Sequence, residues 1–269
     1  MKIKTNASHA EELINKMMKE QTNMPTEWHY LDGSIQTVLL ETTLDEVAIY
    51  FGAAPFLRPG YETKSDQTTF PTLFAKINGK TDYGQHYDKK NLDHIVYLHD
   101  QTLWDFQKNF KVDLPSDLLD DGLLDPREAY KLFDKKLTGL KLPLQDHFLR
   151  TLNRLLQDYH DIILDKYCDI NQTDLLRSIL SINKKYLFLL NSVDMSYLLP
   201  KLIIGLKKKT LNVEHAIGLL FLNLLGYDII VIHEANLTDI ENYIHSSYLN
   251  TYNISDIGTN NKVTKRKFF

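Results

Sequence analysis

The chain has 269 residues, with 31 Lys and Arg against 35 Asp and Glu, a formal charge of −4, and 43% apolar and 25% charged residues. That length buries a substantial core in one large or two smaller domains. The mild acidity excludes the chain-wide basic field that nucleic-acid binding needs, and the single cysteine, Cys168, excludes both a disulfide scaffold and a Cys-rich zinc site.

The first residues, MKIKTNASHAEELINKMMKE, lack the apolar stretch and small-residue cleavage site of a secretory signal. The most apolar run, 216–232, is interrupted by Asn223, Gly226 and Asp228. It falls short of the roughly 20 continuous apolar residues of a membrane-spanning helix. The expectation is a soluble, cytoplasmic protein with neither a membrane nor a nucleic-acid partner.

In chain order, Ala10, Leu13, Ile14, Met17 and Met18 predict a narrow-faced helix over 7–22. An extended segment or short strand follows within 27–40, after the Leu31-Asp32-Gly33 turn. Thr43 with Glu46 three residues on is a capping box that starts a helix to Phe51. Residues 52–70 are irregular, because Pro55 and Pro59 push the residues before them towards extended backbone. A strand is expected over 71–78, stopped by Gly79. Leu92, Ile95, Val96, Leu103 and Phe106 predict a helix over 91–110, and the acidic, Gly- and Pro-punctuated 111–126 is a connector.

Pro126 after Asp125 opens a short helix. The strongest helical periodicity covers 143–167, through Leu144, Phe148, Leu152, Leu155, Tyr159 and Ile162. A second covers 172–190, although 186–190 is apolar enough to form a strand instead. Residues 200–244 then read as strand (202–206), lysine turn, helix from Asn212 to a stop at Gly226, strand (229–232) and a last helix capped through Thr238 and Glu241. The tail from Asn250 is polar and expected to fray. The expected class is α/β. A mixed N-terminal part spans 1–115; a helical middle and a C-terminal Rossmann-like βαβ unit span 116–269, as a separate unit or as one continuous domain with the first.

Ligands in open α/β sheets settle at the carboxyl ends of the strands, which directs attention to two turns. Lys207-Lys208-Lys209 lies between a strand end and a helix start. Backbone amides there, with Lys207 or Lys209, can hold a phosphate or carboxylate, or the lysines are simply solvated. His233-Glu234-Ala235-Asn236 follows the second strand. Its Glu234 and Asn236 are candidate ligand contacts or a base, while Asn236 or Thr238 can equally cap the next helix. A second polar group comprises Arg58, Tyr61, Lys76 and Asn78. The Arg58 fork matches a carboxylate or phosphate, or ties down its own loop. Lys76 lies within an apolar strand, where it either snorkels to an edge or is buried. The P-loop and dinucleotide fingerprints, H-E-x-x-H and G-x-S-x-G are missing from these segments, and the histidines are not at metal-ligand spacing. No catalytic residue, cofactor or metal is therefore assigned.

Three segments, FLRPGY at 56–61, FAKINGK at 74–80 and LGYDIIVIHEANLTDIENYI at 225–244, together resemble the bacterial YceG-like family. The resemblance implies a place among tellurite- and stress-resistance genes, as a component of a biosynthetic module, without supplying a reaction or catalytic residues. It also implies longer family members, so the chain is expected to be either a portion of such a protein or a shorter relative. The expected function is a component of a stress or tellurite-resistance system that binds or processes a small anionic metabolite, phosphorylated or nucleotide-like. The alternative is a non-catalytic scaffold for partner enzymes of the same operon.

Overall fold

The structure is a computed structural model that describes residues 6–20, 34–64, 67–79, 94–107, 114, 119–120, 123–164, 170–235 and 237–254. The Leu31-Asp32-Gly33 turn, most of the 111–126 connector, Cys168, Asn236 and the tail beyond 254 lie outside these residues. The chain runs α1 (Asn6–Glu20), β1 (Ser34–Leu39), α2 (Leu44–Gly52), β2 (Glu62–Thr63), β3 (Gln67–Thr72), β4 (Phe74–Asn78), β5 (Ile95–His99), β6 (Leu119–Asp120), β7 (Leu123–Leu124) and α3 (Pro126–Leu137). It continues through α4 (Leu142–Ile162), α5 (Gln172–Ser181), α6 (Lys184–Leu189), β8 (Lys201–Leu206), α7 (Val213–Leu224), β9 (Asp228–His233) and β10 (Asn250–Asn253).

The near-continuous apolar runs of β4, β8 and β9 suit strands covered on both faces, and every residue in them is buried except the half-buried Gly205. They form the centre of a five-stranded sheet in the order β10-β4-β9-β8-β5, parallel throughout. The sheet takes strands from both sides of residue 115, so the mixed N-terminal part and the βαβ unit share it. Period-two alternation sends Phe74, Leu202, Ile204, Ile229 and Val231 to the main core, and Ala75, Ile77, Ile203, Ile230 and Ile232 to a smaller one with Val47 and Phe51 of α2. Each buried Leu, Ile or Phe contributes roughly 1.5–3 kcal/mol of transfer free energy.

Helix α7 is buried at every position from Ala216 to Leu224, because it lies between the sheet and helices α4 and α5. Phe148 of α4 meets Phe221 of α7 edge-on at 5.0 Å. Asn212 caps α7 by accepting from the His215 N–H at 2.9 Å, and Gly226 ends it at φ +110°, where a Cβ would also strike the Met195 methyl. The Thr43–Glu46 capping box and the Asp125 cap both form as the sequence suggests. A second sheet, β1-β3-β2, stands apart from the first, and β6 and β7 make a short hairpin.

Five expectations need correction. The helix expected over 91–110 is instead β5, followed by a 3-10 turn at Leu103–Asp105. The β-branched and aromatic run Ile95-Val96-Tyr97 pairs with β8, and its apolar residues match helical spacing by coincidence. The 172–190 helix is broken at Ile182, because Asn183 starts α6 with its own cap; the strand alternative at its end does not form. The long helix expected to reach 167 stops at Ile162, since Ile163 bridges to Ile244. That bridge, with the His245 N–H donating to the Ile162 carbonyl at 2.8 Å, also prevents a helix after β9. Only 3-10 turns form there, at Ile240–Asn242 and Ser246–Tyr248. Finally, Asn250–Asn253 does not fray but pairs with β4 as the edge strand β10.

His147 on α4 gives the fold a pH dependence. Burial pushes its imidazole down to about 4, helped by the positive charge of Arg150. The unfolded chain binds this proton near 6.5 but the folded one only near 4, so the stabilisation is complete above about 6.5 and is lost as pH falls through that window. The loss should reach about 3 kcal/mol by pH 4. Urea denaturation at pH 7 and pH 4.5 checks it, and His147→Leu should flatten the difference.

Candidate functional site

The sequence-selected polar residues fall into three groups along the sheet. At its amino edge, Arg58 donates from Nη1 and Nη2 to the Asp228 carboxylate at 2.8 and 2.6 Å. The remaining guanidinium N–H groups reach the Pro71 carbonyl at 2.9 Å and the Ala53 carbonyl at 3.2 and 3.0 Å. All five donors are engaged, the full complement of an arginine. Asp228 also accepts from the Leu73 N–H at 3.0 Å and from Lys201 Nζ at 3.1 Å. Lys201 in turn donates to the Phe51 carbonyl and lies 4.5 Å over the Phe51 ring. Burial works to raise the Asp228 pKa, but the charges of Arg58 and Lys201 and the bonds from Arg58 and Leu73 hold it below the usual carboxylate range. Burial pushes the Lys201 ammonium down to about 8 against the pull of Asp228. Arg58 is therefore a buried clamp joining its loop to the start of β9. Tyr61, next in this loop, donates its N–H to the Arg58 carbonyl at 3.3 Å and packs edge-on against Phe70 at 5.8 Å.

In mid-sheet, Lys76 is buried rather than snorkelling. Its three ammonium protons reach the Leu237 carbonyl at 2.7 Å, Asp239 Oδ1 at 2.6 Å and Glu241 Oε2 at 2.5 Å. Asp239 also accepts from the Leu211 and Ile240 N–H groups at 3.1 and 2.7 Å. The lysine thus ties the segment after β9 onto the sheet, and Glu241, which suggests a helix cap in sequence, is one of its counter-ions.

At the carboxyl edge the last residues of four adjacent strands, Leu206, His233, Asn78 and Asn253, stand in one register row. Paired residues of parallel strands share a face, so this row continues the core-facing side of the sheet, apolar at Leu206 and polar at His233, Asn78 and Asn253. Asn78 Nδ2 donates to Asn253 Oδ1 at 3.1 Å, and His233 Nε2 lies 2.9 Å from the Lys209 carbonyl oxygen. Asn78 Oδ1 and His233 Nδ1 are buried without a hydrogen-bond partner among the described residues. Gly79, at φ +116°, turns the chain out of β4 and donates its N–H to the His233 carbonyl at 2.9 Å. The chain leaving β4 returns as β5 at one edge of the sheet, and the chain leaving β9 returns as β10 at the other. Open α/β sheets bind ligands beyond strand ends of this kind.

The lysine turn borders the row. Lys207, Lys208 and Lys209 are exposed, but the backbone amides expected to cradle an anion already hold one: the Lys207 and Lys208 N–H groups donate to the two oxygens of Asp100 at 3.2 Å each. Any further anion must be held by the lysine side chains. Glu234 is exposed beyond β9, its N–H donating to the Leu206 carbonyl at 2.9 Å. The structure therefore brings Asn78, Lys207, Lys209 and Glu234 to one edge and keeps Arg58 and Tyr61 at the other end of the strands. Asp228 and His233 bound the same strand, roughly 16 Å apart at 3.3 Å per residue. Asn253 and Asp100, which complete the edge, carry no local motif; only the strand register reveals them. Among the described residues no group of three His, Cys, Asp or Glu gathers as a metal cluster.

A parallel α/β sheet with a polar carboxyl edge defines the class of protein. The chain belongs to the family of the YceG domain, whose model matches residues 41–267. It is similar to the uncharacterized protein YceG of Bacillus subtilis (strain 168), with 24% identity over 268 residues, covering 91% of this chain and 48% of that protein. The chain thus spans about half the length of this curated relative. No solved structure matches. Among the described residues no helix is long and apolar enough to cross a membrane.

Proposed function

We propose that this protein is a cytoplasmic component of a bacterial stress or tellurite-resistance system, and that it binds or processes a small anionic metabolite, phosphorylated or nucleotide-like, at the carboxyl edge of its parallel sheet. One observation carries the reading: the polar residues His233, Asn78 and Asn253 end three adjacent strands, β9, β4 and β10, beside three exposed lysines. The likeness of the 56–61, 74–80 and 225–244 segments to YceG-like proteins supports the setting.

A thermal-shift screen with nucleotides, sugar phosphates and divalent metals tests it. A phosphorylated compound at a hundredfold excess over its Kd should stabilise the protein by about 2.7 kcal/mol, raising Tm by several degrees. Replacing Lys207, Lys208 and Lys209 together by alanine should remove the shift. The second reading, a scaffold for enzymes of the same operon, is favoured by Trp104 and Leu142, which are 67% and 73% exposed. It replaces the first if no small molecule moves Tm while a partner co-purifies and is lost with Trp104→Ala.

A further inference from the structure

His233 and Asn78 end adjacent parallel strands as register partners, about 4.8 Å apart and on one face of the sheet. Their remaining polar atoms have a definite hydrogen-bonding sense. His233 Nε2 faces the Lys209 carbonyl oxygen at 2.9 Å. A carbonyl only accepts, so Nε2 carries a proton, and in that tautomer Nδ1 presents a lone pair. Asn78 uses its amide nitrogen on Asn253 Oδ1, leaving its own Oδ1 as the free group. Both free atoms are thus acceptors, with no donor opposite them among the described residues, and their residues are only 0% and 5% exposed. A buried acceptor left in this condition is costly. The pair repels an anion and suits an O–H or N–H group.

The neighbouring turn has the opposite character. Lys209, whose carbonyl holds His233, begins the cationic rim with Lys207 and Lys208. The edge therefore sets the exposed cationic residues of the turn next to buried lone pairs at the strand ends. Asn253, exposed on the edge strand, is the solvent-facing end of the inner row.

We infer that the ligand of this edge, on the reading proposed above, is a phosphate ester that carries a free hydroxyl or amino group close to its phosphate. The lysine side chains hold the phosphate, and the acceptor pair of His233 Nδ1 and Asn78 Oδ1 receives the O–H or N–H. Asn78 and His233 thereby set specificity, while the lysines supply charge attraction common to any phosphate.

Isothermal titration with two probes of similar size and equal phosphate charge separates these roles. Glycerol 3-phosphate carries hydroxyl donors and propyl phosphate carries none. On the wild-type protein glycerol 3-phosphate should bind roughly tenfold more tightly, the worth of one hydrogen bond to a group otherwise left unpaired. His233→Phe should abolish that preference while propyl phosphate still binds, and Asn78→Leu, which leaves the bond between His233 and the Lys209 carbonyl in place, provides the same comparison if the first variant does not fold. Equal wild-type affinities would mean that ligand hydroxyls gain nothing, as when a water already serves both acceptors; this overturns the inference and leaves anion binding standing. A preference that survives both variants also overturns it. Binding of neither probe overturns the anion-binding reading as well.

Discussion

Replacing Asp228 with alanine should lower the unfolding free energy by about 3–5 kcal/mol, the range for removing one partner from a buried ion pair. The variant leaves two cations, Arg58 and Lys201, buried at the amino edge without the carboxylate that holds both. It also removes the acceptor of the Leu73 N–H, at the junction of β3 and β4. The same physics makes a contrasting claim: replacing the group with apolar residues, Arg58→Met, Asp228→Leu and Lys201→Met together, should cost less than Asp228→Ala alone, because no charge is left stranded. Urea denaturation with an unchanged m-value measures both. A loss below about 1 kcal/mol for Asp228→Ala, the level of an exposed pair, would mean that the cluster does not anchor the fold.

Lys76→Met should be comparably severe, at about 3–5 kcal/mol. The methionine fills much of the same space, so the cost comes from Asp239 and Glu241 losing their shared cation rather than from a cavity. Asp239 is the more affected of the two, since the Glu241 side chain is 20% exposed and has some access to water. Asp239 also receives the Leu211 and Ile240 amides, so its repulsion from Glu241 should loosen the turn before α7 as well as the segment after β9. Hydrogen exchange should therefore accelerate at Leu211 and Ile240 ahead of the central strands, while urea denaturation records the overall loss. If Lys76→Met keeps wild-type stability and loses only ligand binding, Lys76 is a binding residue and not a tether.

These two variants also mark where sequence reasoning reaches its limit. The βαβ unit was legible because its signals are local: an apolar run, an Asn cap, a Gly stop and a second apolar run within about thirty residues. Arg58 and Lys76 stand out in sequence for a sound reason, since a charge amid apolar residues demands an explanation. Their partners, however, lie 170 and 163 residues away, and no spacing rule links them. Long-range pairing likewise hid β5 and β10, whose strand character depends on β8 and β4. At the carboxyl edge the decision between neighbours rests on strand parity. His233, the last paired residue of β9, faces the core beside Asn78, while Glu234, one step further, is exposed. Sequence directs attention to the carboxyl ends of the strands for Lys207, Lys209 and Glu234, and groups Asn78 with Arg58 instead; only the register sets Asn78 beside His233 and adds Asn253.

The location of binding tests the account most directly. Backbone amide NMR of the full chain, titrated with whichever phosphate ester stabilises it in the thermal-shift screen, reads every strand end at once. The predicted result is a set of shifts at Asn78, Gly79, Lys207, Lys208, Lys209, His233 and Asn253, with Ala53, Arg58, Lys201 and Asp228 unmoved. Shifts centred on Arg58 and Asp228, with the carboxyl edge unchanged, would contradict it.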